Sequence, residues 1–97
     1  MIQTFSAEGT RDIYVGVDSK AARRVLPKQL WSVAHRKLHW IDAGRTVEAL
    51  RVPPGNRLEA MKGDRAGSAS VRINDQYRIT FRFEQGNAYE VRCEDYH

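Results

Sequence analysis

Apolar and polar residues alternate with a two-residue period through most of the last third of the chain. Tyr77, Ile79, Phe81 and Phe83 alternate with Arg78, Thr80 and Arg82, the pattern of a strand with one buried face. Ahead of it, Ala69, Val71 and Ile73 alternate with Ser68, Ser70 and Arg72. Behind it, Tyr89, Val91 and Cys93 alternate with Ala88, Glu90 and Arg92. Asn74-Asp75 and Gln85-Gly86-Asn87 supply the turns, so three strands in a meander are predicted. Their core face would be aromatic and aliphatic. Their open face would present Ser70, Arg72, Arg78, Thr80, Arg82, Glu90 and Arg92.

The first half reads differently. Ile2 to Phe5 suits a short strand, and Ser6 is a candidate N-cap for a helix from Glu8 to Val15 that Gly16 would end. Asp18 to Pro27 reads as a polar, basic linker. Leu30, Trp31, Ala34, Leu38 and Ile41 then recur at spacings of three and four, which predicts a helix over Lys28 to Ala43 with Gly44 as C-cap. Thr46 would cap one further turn ending at Leu50, and Pro53-Pro54 forces a loop. Arg57 to Met61 returns to extended structure, and periodicity leaves the direction of Glu59 open. Lys62 to Gly67 is a glycine-punctuated turn into the meander. The order predicts an α+β fold of two layers: an N-terminal strand, and two main helices on one face of a largely antiparallel sheet of four or five strands.

A chain of 97 residues supports one modest core, so 1–97 reads as a single domain. The net charge of +4 and pI of about 9.6 favour a polyanion or an acidic partner. Six cations and no acid between Ser19 and Leu38 fit a contact surface and a solvated helix face equally well. A lone cysteine, Cys93, excludes an intrachain disulfide, and its place in the strand pattern makes it a core residue. No apolar run is long enough for a signal peptide or a membrane helix, which predicts a cytoplasmic protein without membrane contact. His35 and His39 have the spacing of a metal pair but lack a third ligand, so no metal site is expected.

Three motifs in order carry a stronger signal: Lys62-Gly-Asp-Arg65 within Arg57 to Gly67, then Tyr77-Arg-Ile-Thr-Phe81, then Glu94-Asp-Tyr-His97. In that order and at those separations the chain resembles the HigB branch of the RelE/ParE toxin superfamily over essentially its whole length. The resemblance implies the two-layer RelE/ParE-like fold and a ribosome-dependent endoribonuclease that cuts mRNA and so inhibits translation. It implies a cognate helix-turn-helix, HigA-like antitoxin as partner, with operator DNA reached only through that antitoxin, the ribosome and mRNA as targets, and no cofactor. By matching the motifs, the catalytic set would be Lys62, Arg78, Asp95, Tyr96 and His97. Many members carry a histidine three residues before the lysine, where this chain has Glu59.

RNA cleavage without a metal needs a base for a 2′-hydroxyl, positive charge on the phosphorane and an acid for the leaving 5′-oxygen. Arg78 would grip the scissile phosphate, since a guanidinium contacts phosphate oxygens in two-pronged fashion. Lys62 would add charge, Glu59 or Asp95 would accept the 2′-proton, His97 would donate to the leaving oxygen, and Tyr96 would orient a base or phosphate. Arg65, Arg72, Arg82 and Arg92 would track the RNA backbone. Two other readings stand beside this one. A ParE-like inhibitor of DNA gyrase would share the fold without needing these residues. A non-catalytic RNA- or ribosome-binding module would normally display aromatics on its sheet, and Tyr77, Phe81, Phe83 and Tyr89 all fall on the expected core face.

Overall fold

The computed structural model describes residues 1–95. Tyr96 and His97, two of the residues singled out above, lie outside the described residues. Three helices, α1 (Glu8–Val15), α2 (Lys20–Val25) and α3 (Trp31–Ala43), precede four strands, β1 (Glu59–Ala60), β2 (Ser68–Arg72), β3 (Tyr77–Glu84) and β4 (Asn87–Asp95). The strands form one antiparallel sheet in the order β1-β2-β3-β4. The helices lie on one of its faces. Ile13 of α1, Ala22 of α2 with the adjoining Leu26, and Ala34, Leu38 and Ile41 of α3 bury against Val71, Ile79, Phe81, Val91 and Cys93. Each fully buried leucine, isoleucine or phenylalanine contributes about 1.5–3 kcal/mol.

The α1 boundaries match expectation, and Gly16 ends the helix at φ 85°, where a left-handed cap favours glycine. Its N-cap is Ala7, not Ser6; the Ser6 hydroxyl donates to the Glu90 carbonyl instead. The stretch from Asp18 to Pro27 is no linker. Ser19 caps α2 by accepting from the Ala22 N–H at 3.0 Å, while its hydroxyl donates to the buried Asp12 at 2.6 Å. Six residues form a marginal helix alone; α2 exists because it packs on α1. A Cβ on Gly9 would sit 2.2 Å from the Ala21 carbonyl oxygen, so only glycine permits that approach.

Ile2 to Phe5 does not form a full strand. It meets β4 in two isolated parallel bridges, Ile2 with Ala88 and Phe5 with Val91. Between them β4 carries a bulge: Thr80 pairs with Arg92 but Arg82 pairs with Tyr89, and Glu90 sits at φ 56°. The Thr4 hydroxyl takes the Glu90 N–H at 2.8 Å where a strand carbonyl would otherwise stand. The bulge also inverts the expected parity at the start of β4. Ala88 points into the core, and Tyr89 lies on the open face opposite Arg82.

Gly9→Ala is expected to cost about 1–3 kcal/mol through overpacking, with Tm falling by about 4–8 °C per kcal/mol. Thermal unfolding measured by circular dichroism checks this. Gly55→Ala, whose added Cβ has nothing within 4 Å, is the neutral control.

Candidate active site

The face of the sheet turned away from the helices carries most of the singled-out residues, but it is less open than its pattern suggests. Ser70, Arg78 and Thr80, expected to be exposed, are buried, and Arg78 retains 7% exposure. The guanidinium of Arg78 explains this. Its Nε donates to the Ser70 hydroxyl at 2.8 Å, and Nη2 donates to the Ser70 carbonyl at 3.2 Å and to the Arg57 carbonyl. The segment leading into β1 thus lies against the middle of the face. A buried arginine is tolerated only when its donors are met in this way.

Around that arginine lies a small cavity of about 140 Å³ lined by Arg57, Glu59, Arg72, Asn74, Asp75 and Arg78. Register puts Glu59 opposite Ser70, and Arg72 opposite Arg78. Directly opposed residues share a face, so Glu59 stands on the same face as Arg78, two strands across and two residues along, about 12 Å away at the backbone. Its side chain is exposed. Lys37 of α3 reaches the same corner and donates to the Arg72 carbonyl. Burial, then the charges of Arg36, Arg72 and Arg78, pulls its ammonium below the usual lysine range.

A second groove, of about 300 Å³, is lined by Ser6, Asp64, Arg65, Ser68, Phe81, Arg82, Glu90 and Arg92. It brings together three of the four arginines expected to track RNA. Glu94, which opens the last motif but was given no role there, organises its border. The carboxylate takes Arg65 through two contacts, at 2.8 and 3.3 Å, and accepts from the Thr80 hydroxyl. Burial alone would raise the Glu94 carboxyl. Hydrogen bonds from Arg65 and Thr80 and the charges of Arg65 and Arg92 outweigh it and hold the group below the usual glutamate range. The clasp ties the turn holding Lys62 to β4 across the sheet. Lys62 itself is exposed.

Asp95 is elsewhere. It pairs with Tyr77 and shares parity with Val91 and Cys93, so it belongs to the helix side of β4, where Gln76 donates to it at 3.0 Å. Cys93 is buried, and burial pushes its thiol up to about 12 against a weaker pull from the Thr10 hydrogen bond. The two histidines of α3 fasten it to α1, with His35 Nδ1 at 3.0 Å from the Ile13 carbonyl and His39 Nε2 at 3.2 Å from that of Tyr14. Tyr89 was also missed, because strict alternation hides a bulge. The Arg82 guanidinium lies over its ring, 4.6 Å from the centroid. That position removes the argument against an RNA-binding sheet that rested on its lack of aromatics.

The same arrangement of helices and sheet recurs among solved toxins. A chain of the YoeB-YefM complex from Staphylococcus aureus matches with a TM-score of 0.60 at 16% identity, covering 100% of this chain and 98% of that one. YafQ from E. coli matches with a TM-score of 0.60 at 10% identity, covering 99% and 92%. At such identities the likeness is one of fold. The sequence is more specific: the profile of the HigB-like toxins, RelE-like toxins of the type II toxin-antitoxin system HigB, matches residues 4–97. The chain belongs to this family. Toxin HigB-1 of Vibrio cholerae is 40% identical over 65 residues, 67% of this chain and 68% of that protein. Endoribonuclease HigB of Proteus vulgaris is 31% identical over 97 residues, all of both chains.

Because Arg78 is buried and bonded, Arg78→Ala should unfold the protein more easily, by about 2–3 kcal/mol for the hydrogen bonds of a charged group. The burial corrects the expectation of an arginine presented on an open face; urea titration of the variant checks the predicted loss of stability. Glu94→Gln should lower Tm near neutral pH. The depressed Glu94 carboxyl stabilises the fold above the normal glutamate pKa, and that contribution is lost as pH falls through the folded value. The gap between wild type and variant should therefore narrow as pH falls from neutrality to below the normal glutamate range.

Proposed function

We propose that this toxin is a ribosome-dependent endoribonuclease: it cuts mRNA during translation and is neutralised by a cognate helix-turn-helix antitoxin of the HigA type. The observation that carries the proposal is the cavity shared by Glu59, Arg72 and Arg78 on the face away from the helices. The kinship with Endoribonuclease HigB of Proteus vulgaris supports the same reaction class, and the toxin-antitoxin character of the family supports a protein antitoxin as inhibitor.

In this reading the scissile phosphate enters the cavity beside Arg78. Its guanidinium, already fixed by Ser70 and the Arg57 carbonyl, stabilises charge on the phosphorane without reorganising. Arg72 adds charge from the opposing strand, and Lys62 from the turn. Glu59 takes the 2′-proton, because it shares the face with Arg78 while Asp95 lies on the other side of β4. The hydroxyl oxygen attacks phosphorus, a 2′,3′-cyclic phosphate forms, and the 5′-oxygen leaves with a proton from His97. Tyr96 orients the strand. Arg65 and Arg92 hold the flanking backbone.

The test compares mRNA on translating ribosomes with the same RNA in isolation. Cuts are expected on the ribosome, with little or no cutting of isolated RNA. Lys62→Ala, at an exposed site, should slow cleavage by about 10²-fold with Tm unchanged, and His97→Ala by about 10²–10⁴-fold. If Asp95→Asn costs more than Glu59→Gln, the base assignment is wrong. Efficient metal-dependent cutting of isolated RNA, or inhibition of gyrase supercoiling with mRNA intact, sinks the proposal as a whole.

A further inference from the structure

We propose that the groove beside the β4 bulge is a nucleobase-binding subsite, in which one base of a single RNA strand stacks on the Arg82 guanidinium, itself seated over the ring of Tyr89. The inference rests on the RNA-cutting reading above and adds a place for a nucleotide other than the one being cut. Arg82 is four residues from Arg78 along β3, about 13 Å at the rise of a strand, so the two positions engage different nucleotides of one strand.

The bulge creates the subsite. Without Glu90 in the left-handed region, alternation would turn Tyr89 into the core and leave Arg82 with no ring beneath it. As built, the guanidinium lies 4.6 Å from the ring centroid. Ion pairs to Glu84 at 2.7 Å and Glu90 at 3.9 Å hold it there. A guanidinium neutralised by two carboxylates is a poor phosphate clamp, but its plane still accepts a stacked base. The adjoining groove of about 300 Å³ is at the small end of ligand pockets and suits one nucleotide. Its walls offer both bond types that a base edge needs: donors from Arg65 and Arg92, acceptors on Asp64 and Glu90, and the Ser68 hydroxyl.

The test is a titration of the full chain with a short single-stranded 2′-O-methyl RNA carrying one 2-aminopurine, at low salt. Stacking quenches the probe, and the blocked 2′-oxygen prevents cleavage, so binding is read apart from catalysis. Wild type and Tyr89→Phe are expected to quench alike. Tyr89→Leu and Arg82→Gln should bind about 5- to 100-fold more weakly, the range for losing one stacked base. Circular dichroism melting establishes that each variant is folded; should Tyr89→Leu not fold, Arg82→Gln decides. Unchanged affinity and quenching in a folded variant overturn the proposal, as does a wild type that leaves the probe bright. A protein that stacks this probe but cuts no mRNA on ribosomes would refute the endonuclease reading and keep the subsite.

Discussion

The left-handed backbone at Glu90 sets the terms for both faces of the sheet. An L-residue there costs about 1–2 kcal/mol, and the surrounding contacts offset it. Thr4 takes the orphaned N–H, and the N-terminal segment bridges β4 on either side of the bulge. The extra residue lets Ala88 and Val91 both point inward, where strict alternation would have turned Tyr89 into the core and Ala88 out of it. On the other face it sets Tyr89 against Arg82. One irregularity thus fixes how the N-terminus pairs and what chemistry the polar face offers.

That polar face is built as a network with two anchors. Arg78 is locked to Ser70 and the Arg57 carbonyl, and Glu94 locks Arg65 and Thr80. No buried side-chain nitrogen or oxygen among the described residues lacks a hydrogen-bond partner. Satisfied networks of this kind hold groups in one geometry, whereas a half-satisfied one would destabilise the sheet. On the proposed mechanism the consequence for catalysis would be preorganisation: a guanidinium fixed in this way would need no rearrangement as charge develops on the phosphorane. The consequence for genetics is that loss of function at Arg78 mixes chemistry with stability, while Lys62 and Glu59 report chemistry more cleanly because both are exposed.

Much of this was legible from spacing. The alternation around Tyr77 to Phe83 located the central strand, Gly16 ended α1 where a left-handed cap was needed, and the stripe from Leu30 to Ile41 marked α3. The failures share a cause, which is that tertiary contacts overrode local signals. Lys20–Val25 holds good helix formers behind a Ser19 cap, but six residues are too few to stay helical alone, and it is the packing at Gly9 that lets α2 form. Period two cannot register a bulge, so Tyr89 was assigned to the core. Alternation places Arg78 on the correct face but says nothing about a neighbouring segment folding over it. The site residues came from ordered motifs; Glu94 opens the last of them but received no role, because its part is to hold Arg65 and the turn beneath it.

The charge pattern bears on why such a protein would depend on a large assembly for its substrate. Four arginines of the polar face are already paired with acids of the same chain: Arg65 and Arg92 with Glu94, Arg72 with Asp75, and Arg82 with Glu84 and Glu90. An RNA strand would have to exchange these pairs for phosphates. Exposed ion pairs are worth only about 0–1 kcal/mol each, so the exchange is allowed, but its net gain is small. The net charge of +4 is spread over the whole chain and includes six cations near α2 and α3. Isolated RNA should therefore be held weakly on this face. On the proposed reading, a ribosome that presents the strand in a fixed path would remove the need for tight binding, because orientation alone can lower a barrier by about 7–11 kcal/mol at best. Self-neutralised arginines then carry an advantage: they shape the groove without capturing every passing polyanion.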